Sequence, residues 1–402
     1  MREVVRAMSA VAAAYAAMGV VAMSGLLLLG ADGVARLAVA TVTMAGGGGI
    51  DVTGELPQAQ RLGASLHGGL DVMPLGVSLA GVLVLVVALR RPAASPRALV
   101  VRLGTAAVAF PAVLTLSASA GHGRLALGRP CVHGPYGLSG CATDDRAPAG
   151  GLTLDYHPDL GRTLLGGLVW VLVVLALVAL LQCRPDARAL RLPAALSWMR
   201  PAVSVSATVI LCAALAVEAA GLLVALVHGP KAAGAVVLVA PNAAFAAFGM
   251  GIGVPWSAAR STPGGPVAMT GIAHGQAWLP PIAFAVTTLA VIGVLTAART
   301  PVPPGVAWRR VRAARLGLPL GVLSAGMTAA AGASAHLGVS VFGFAVTVLG
   351  LRCDGDILVA LALGSAAGAV AGTTGCLLLD LGRQATTDRV RTAWNSRKTP
   401  TV

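Results

Sequence analysis

The stretch "APNAAFAAFGMGIGVPW" (Ala240–Trp256) decides how the chain crosses a membrane. It is apolar enough to lie in a bilayer, but Pro241 and Asn242 interrupt it near its start. Three spaced glycines loosen its end, namely Gly249, Gly251 and Gly253. Whether this stretch spans the bilayer or turns back fixes the side on which every later residue lies.

The composition assigns the chain to the membrane. Hydrophobic residues make up 56% of the 402 residues and charged residues 11%, and the mean hydropathy is +0.83. A soluble domain needs far more polar surface than this. We therefore predict an all-α polytopic integral membrane protein with about eight transmembrane helices of about 20 residues. The predicted spans are Met8–Gly30, Leu70–Leu89, Leu99–Ala120, Thr163–Gln182, Ala202–Val227, Ala277–Ala298, Leu316–His336 and Ile357–Leu379.

The net charge of +14 is concentrated in a few arginine-rich turns. These are Arg90–Arg97, Cys183–Leu192 and Trp308–Arg315, and a basic tail follows the last span. The positive-inside rule places them all in the cytoplasm of a plasma-membrane protein, together with both termini. There they would face anionic lipid head groups. We therefore expect anionic lipid, and not nucleic acid, to bind these basic turns.

This orientation works only if Ala232–Trp256 does not span the bilayer. An ordinary span there would carry the arginines of Trp308–Arg315 to the outside. We predict instead a re-entrant or broken segment that bends at Pro241 and again at its glycines, covered by other helices. All seven histidines of the chain then fall on the outer side.

Similar short apolar pieces recur and suggest an internal repeat. Val34–Gly49, Ala232–Trp256 and Leu337–Leu351 each follow an outward helix and precede an inward one. In so biased a composition, chance produces such similarity too. After the first piece, Ile50–Thr53 alternates like an exposed strand. We predict one membrane domain over residues 1–382, with an outer polar loop at 122–162, and a disordered basic tail at 383–402.

Two polar residues within apolar segments are candidate site residues. Glu218 is an acid inside a predicted span, where an ionised side chain is costly unless it is paired or hydrated. The alternative is that Glu218 reaches solvent or His228. Asn242 can bond the carbonyl that Pro241 leaves without a donor, which favours a structural role.

The remaining features indicate packing rather than catalysis. Cys131 and Cys141 predict a disulfide in the outer loop, and the alternative is a metal site with His133 and His157. Gly364, Gly368 and Gly372 lie on one helix face and predict close packing within the chain, with a channel or dimer face as the alternative. No catalytic motif occurs, so we predict no catalytic residue, cofactor or metal ion.

Three stretches together resemble the streptophobe family of hydrophobic actinobacterial membrane proteins. They are "LDVMPLGVSLAGVLVL" (Leu70–Leu85), "VVLVAPNAAFAAFGMGIGVPW" (Val236–Trp256) and "WLPPIAFAVTTLAVIGVLTAARTP" (Trp278–Pro301). The chain is more distantly similar to PerM-type cell-division membrane proteins, which also carry a Pro-Asn in a central apolar segment and a "PLG" that opens a helix. The resemblance implies fold and host group, and assigns no residue a role.

Two functions fit these observations. The first is a non-catalytic envelope protein that binds or stabilises other membrane proteins. The second is a secondary transporter or pore, with its pathway near the broken segments, Glu218 and Asn242. Transport of a polar solute usually needs several polar groups within the membrane, and this chain offers few. The sequence therefore favours the first.

Overall fold

The computed structural model describes residues 1–55, 65–90, 95–127, 132–133, 139–140, 152–182, 194–262, 265–268, 278–299, 307–341 and 344–396. The helices are α1 (Arg2–Leu29), α2 (Val34–Ala45), α3 (Leu75–Leu89), α4 (Pro96–Ala120), α5 (Leu160–Gln182), α6 (Ala194–His228), α7 (Pro230–Gly251), α8 (Leu279–Arg299), α9 (Ala307–Ala331) and α10 (Ile357–Ser396). The strands are β1 (Ile50–Glu55), β2 (Ser65–Val72), β3 (Gly123–Leu127), β4 (Val132–His133), β5 (Ser139–Gly140), β6 (Leu152–Pro158), β7 (Trp256–Thr262), β8 (Gly265–Ala268), β9 (Ala333–Val341) and β10 (Phe344–Gly355).

Seven of the described helices are long and apolar enough to cross a bilayer, which indicates a multi-pass membrane protein. They are α1, α4, α5, α6, α7, α8 and α10. Two predicted spans are not among them. The span predicted at Leu70–Leu89 is shortened to the 15 residues of α3, because Leu70–Val72 belongs to β2. The one at Leu316–His336 falls largely in α9, whose first turns are rich in arginine.

The strands stand on one end of the helix bundle and form an eight-stranded antiparallel sheet. Its order is β3-β6-β1-β2-β9-β10-β7-β8, and a separate hairpin pairs β4 with β5. Strand β1 was expected from its alternation, with Ile50 buried and Asp51 exposed. The rest of the sheet was missed, so the all-α prediction is correct for the membrane part and wrong for this end of the molecule.

The third short apolar piece, Leu337–Leu351, is not a half-helix. It supplies most of β9 and β10, which pair with each other, and its β-branched and aromatic residues explain why. The predicted outer loop at 122–162 likewise contributes β3 and β6 to the sheet. The proposed threefold repeat of short helical pieces is therefore wrong in its third member.

The first short piece, by contrast, is a helix that descends into the bundle and turns back. Helix α2 begins beside Gly123 and Arg124 at the base of the sheet. At its end, Gly46 lies against Leu114 of α4 and Gly47 against Gly166 of α5. Gly47 has a φ of +87°, the left-handed backbone that lets the chain reverse toward β1.

The stretch Ala240–Trp256 is not broken at Pro241, which corrects the prediction. Helix α7 runs continuously through it as far as Gly251. The chain leaves the helix only at Gly253, where φ is +93°. A single proline removes one helical hydrogen bond and is tolerated where neighbouring helices contact the freed group.

Helix α7 lies across the ends of other helices, beneath the sheet. Near its start, Gly234 contacts Gly25 and Leu29 at the end of α1. Near its end, Gly251 contacts Pro281 at the start of α8. Because both of these helix ends lie at the sheet end of the bundle, α7 crosses the bundle at this end, beside the second half of α6, where Gly221 lies against Val236. The chain then returns to the sheet at β7.

Two hydrophobic cores fill the bundle, and α7 contributes to both. The first core is formed by helices α1 to α5 and includes Leu238 of α7. The second is formed by α6 and α8 to α10 and includes Phe248 of α7. The transverse helix thus joins the two halves of the bundle, just as the β2–β9 pairing joins them in the sheet.

The basic tail also differs from expectation. Residues 383–396 were predicted to be disordered, but α10 continues as a helix to Ser396. This segment contains no glycine and no proline, so nothing in it interrupts a helix.

The alternation of the helices predicts which residues share a side of the membrane. Ser257 lies in β7 at the sheet end, and Arg310 lies in the first turns of α9, at the other end. We expect Ser257→Cys to react with a membrane-impermeant maleimide in intact cells, and Arg310→Cys to react only after permeabilisation, in a background lacking the native cysteines. Labelling of both variants from the same side would show that this topology is wrong.

Candidate functional site

The most constrained polar contact in the apolar part of the bundle joins Asn242 of α7 to the start of α3. Asn242 is 7% exposed. Its Oδ1 accepts a hydrogen bond from Leu75 N–H at 3.0 Å, and its Nδ2 donates to Met73 O at 2.7 Å. The amide therefore binds one donor and one acceptor of a chain segment 167 residues away.

This contact satisfies a backbone group that α3 leaves free. The first N–H groups of a helix have no partner within the helix. The residue that caps α3 is Pro74, and no side chain of its own segment supplies a cap. The Asn242 side chain fills that role from another helix, and in an apolar setting a free N–H there would be costly.

A second contact brings the two backbones together beside the first. Pro241 has no N–H, so the carbonyl of Val237, four residues earlier, lacks its helical donor. Gly76 of α3 lies directly against Val237 O, and the Cβ of any other residue would overlap with this oxygen. The Cα–H of Gly76 therefore faces the freed carbonyl, a weak but favourable contact.

The polar contacts continue from α3 into α5. Trp170 Nε1 donates to Ser78 Oγ at 2.7 Å, and both residues are buried. The Trp170 ring stacks on Phe110 of α4, with ring centroids 4.5 Å apart and planes 14° from parallel. The amide of α7, the first turn of α3 and the aromatic pair thus form one connected cluster, which we call the α3–α7 site.

Sequence reasoning singled out Asn242 but not its partners. It expected the amide to serve the carbonyl freed by Pro241, whereas Gly76 takes that place. The "PLG" of Pro74–Gly76 was noted only as part of the family resemblance. Nothing in the sequence indicates that it lies against Pro241 and Asn242, because the pairing is set by tertiary contacts.

Glu218 lies apart from this cluster. It is half-buried on α6 and makes no hydrogen bond or ion pair with any residue that the structure describes. The suggested contact with His228 does not form, since Nδ1 of that histidine lies 3.0 Å from Val224 O in its own helix. The structure therefore does not bring the two candidate residues, Glu218 and Asn242, into one site.

A buried ion pair at the other end of the bundle was missed. Arg102 of α4 is 1% exposed, and its Nε donates to Glu3 Oε2 at 2.6 Å. Glu3 also pairs with the exposed Arg6 at 2.9 Å. The signal was present, since Arg102 falls inside a predicted span and must find a partner there. This pair fixes the start of α1 against α4.

The glycine stripe of α10 lies at helix contacts within the chain. Gly364 faces Gly321 and Ser324 of α9, and Gly368 faces Gly317 and Leu316 of the same helix. Gly372 is buried on α10 as well. Small residues on both partners allow the two helices to approach closely.

The predicted disulfide cannot be placed, because Cys131 and Cys141 lie outside the described residues. His133 is in β4 and His157 in β6. Among the residues with described positions, no group of three or more histidine, cysteine, aspartate or glutamate side chains is arranged to hold a metal ion. Burial, with a smaller contribution from Asp354, raises the pKa of the Cys353 thiol, which stays protonated near neutral pH.

Comparisons of the chain with family models, with curated proteins and with solved structures find no match. In the α3–α7 site the amide of Asn242, the hydroxyl of Ser78 and the indole N–H of Trp170 are each bonded to a protein group. These hydrogen bonds connect α7 to the start of α3 and α3 to α5.

The site predicts a large loss of stability for Asn242→Ala. The change leaves Leu75 N–H and Met73 O buried without partners, which costs about 2–6 kcal/mol of the free energy of unfolding at ~1–3 kcal/mol for each group. Unfolding of the purified protein in detergent, followed by tryptophan fluorescence against denaturant, measures this cost.

The matched control is Thr288→Val. Thr288 is also buried, but its hydroxyl donates to Phe284 O within its own helix, so its removal leaves no distant group unpaired. We expect a loss of under about 1 kcal/mol. Equal losses for the two variants would argue against the role given to Asn242.

Proposed function

We propose that this protein is a non-catalytic scaffold of the cell envelope, one that binds or stabilises partner proteins in the plasma membrane. The observation that carries the proposal is the use of polar groups in the α3–α7 site. Asn242, Ser78 and Trp170 hold neighbouring helices through hydrogen bonds that use the amide of Asn242, the hydroxyl of Ser78 and the indole N–H of Trp170. A protein that moves polar solutes needs such groups free to bind them.

The connection between the two halves of the bundle supports the same proposal. Helix α7 packs in both hydrophobic cores, and the sheet runs without interruption from β3 of the first half to β8 of the second. Transporters of the rocking type move one half against the other around a central site. Two continuous links across the halves favour a rigid body over such a motion.

The proposed orientation places the sheet outside the cell and the arginine-rich turns in the cytoplasm. The helix ends beside these turns, such as Arg90 of α3 and Arg299 of α8, lie at the end opposite the sheet. By the positive-inside rule this end is cytoplasmic, where its charge attracts anionic lipids. The resemblance to the streptophobe and PerM-type proteins supports an envelope role in an actinobacterial host.

One observation favours the alternative of a secondary transporter or pore. Glu218 is an acid within an apolar helix that is long enough to span a bilayer, and it has no partner among the described residues. Acids in such positions are often sites of proton or cation coupling. The alternative would use Glu218 and would leave Asn242 in its structural role.

A comparison of strains tests the proposal. In a deletion strain of the native host, we expect a defined set of membrane proteins to lose abundance, as quantified by mass spectrometry of the membrane fraction. Both the wild-type protein and Glu218→Gln should restore them, because a scaffold does not need an ionisable group at this position.

The opposite pattern would support transport. If membrane protein levels are unchanged by the deletion, and Glu218→Gln fails to rescue the growth phenotype although it is expressed and folded like the wild type, the scaffold proposal is wrong. Asn242→Ala, judged by the same measure, separates loss of folding from loss of a coupling group.

A further inference from the structure

A cavity of about 400 Å³ opens at the junction of α2 with the base of the sheet. Its lining comes from the loop before α2, the first turn of α2, and strands β3 and β6. The lining residues are Asp32, Gly33, Val34, Ala35, Arg36, Leu37, Gly123, Arg124 and Tyr156. It lies at the level where the helices meet the sheet, and its volume falls within the range of small-molecule sites.

The floor of the cavity carries the positive end of a helix. Helix α2 has 12 residues, its capping residue is Gly33, and no side chain caps it. The N–H groups of Arg36 and Leu37 donate back to Gly33 O. The N–H groups of Val34 and Ala35 therefore remain available, and together with the helix dipole they favour an anion.

The hydroxyl of Tyr156 is a second feature of this cavity. Tyr156 is 4% exposed, yet its hydroxyl has no hydrogen-bond partner among the described residues. The oxygen lies against Gly123, where a Cβ would overlap with it, and both residues line the cavity. The hydroxyl is thus on a largely buried side chain that lines the cavity, and it can donate a hydrogen bond to a ligand held there.

The two arginines that line the cavity differ in whether they already form an ion pair. Arg124 is already paired with Asp155 at 2.8 Å. Arg36 makes no ion pair with a described residue and is exposed at the rim, and it is the cation whose charge reaches Tyr156. Burial raises the pKa of the Tyr156 hydroxyl, and Arg36 opposes this in part, so the hydroxyl stays a donor at neutral pH.

From this arrangement we infer a binding site for a phosphate ester, in which the phosphate oxygens accept from the start of α2, from Arg36 and from the Tyr156 hydroxyl. Arginine and helix N-termini are the usual partners of phosphate in proteins. Asp32, on the same rim, can accept hydrogen bonds from hydroxyl or ammonium groups that a ligand carries beside its phosphate.

Two sources supply such a ligand, a lipid head group in the outer leaflet or a soluble phosphate ester. The cavity exceeds the volume of a single phosphate and has room for a glycerol-sized group. Glycerol 3-phosphate is a soluble probe with this chemistry. Phosphatidylglycerol in nanodiscs, with phosphatidylcholine as the bulk lipid, presents it on a membrane.

The experiment measures both probes on the purified full-length protein, by calorimetry for glycerol 3-phosphate and by native mass spectrometry of retained lipid for phosphatidylglycerol. We expect at least one probe to bind the wild type. Arg36→Gln should weaken binding about tenfold or more, because it removes a positive charge together with its hydrogen bond, and Tyr156→Phe about fivefold, because it removes a hydrogen bond alone.

Arg260→Gln is the matched control. Arg260 is an exposed arginine of β7, far along the sheet from β6, and its removal changes the net charge equally. Binding of only the soluble probe, or only the lipid, identifies the source. The proposal is overturned if neither probe binds, if Arg36→Gln and Tyr156→Phe bind like the wild type, or if Arg260→Gln weakens binding as much as Arg36→Gln. None of these outcomes depends on the scaffold proposal.

Discussion

The side chain of Asn242 is the constraint on which the rest of the structure depends. A helix that begins within an apolar layer must have its first N–H groups satisfied by something other than water. Helix α3 begins beneath the sheet, after Pro74, with no cap of its own. The amide on α7 supplies the missing acceptor and at the same time donates to Met73 O. Because these bonds tie α7 to the start of α3, they hold it across the bundle and beneath the sheet.

The proline beside this asparagine makes the contact tighter. It frees the carbonyl of Val237, and the residue that approaches that carbonyl has to be a glycine, since Gly76 has no room for a Cβ. Two short motifs, Pro241-Asn242 and Pro74-Leu75-Gly76, are therefore two halves of one contact. Their separation by more than 160 residues in the chain means that the fold must bring both halves of the protein together before either motif is satisfied.

Hydropathy predicted much of the membrane part, because spans about 20 residues long are set by the thickness of the bilayer. Arginine placement also predicted that the chain does not cross to the opposite side after Ala240–Trp256, and in the structure it enters the sheet there at β7. The manner of that return was wrong, because a proline within a helix need not break it when another chain segment meets the freed carbonyl. The sheet was missed beyond β1, because most of its strands pair with partners distant in sequence. For the site, Asn242 was predictable from its polarity, whereas Leu75, Gly76 and Trp170 were not, because only packing distinguishes them from other apolar residues.

The most direct test of the account is the membrane depth of α7. Nitroxide labels at Ala235, Val239 and Ala243, which lie on the exposed side of this helix, report depth through their collision rates with oxygen and with a nickel chelate in reconstituted bilayers. A transverse α7, held by Asn242 beneath the sheet, predicts nearly the same depth at all three positions, close to the outer interface. A helix that spans the bilayer would show depth changing steadily by about 12 Å from Ala235 to Ala243, at ~1.5 Å per residue, and that result would contradict the central claim.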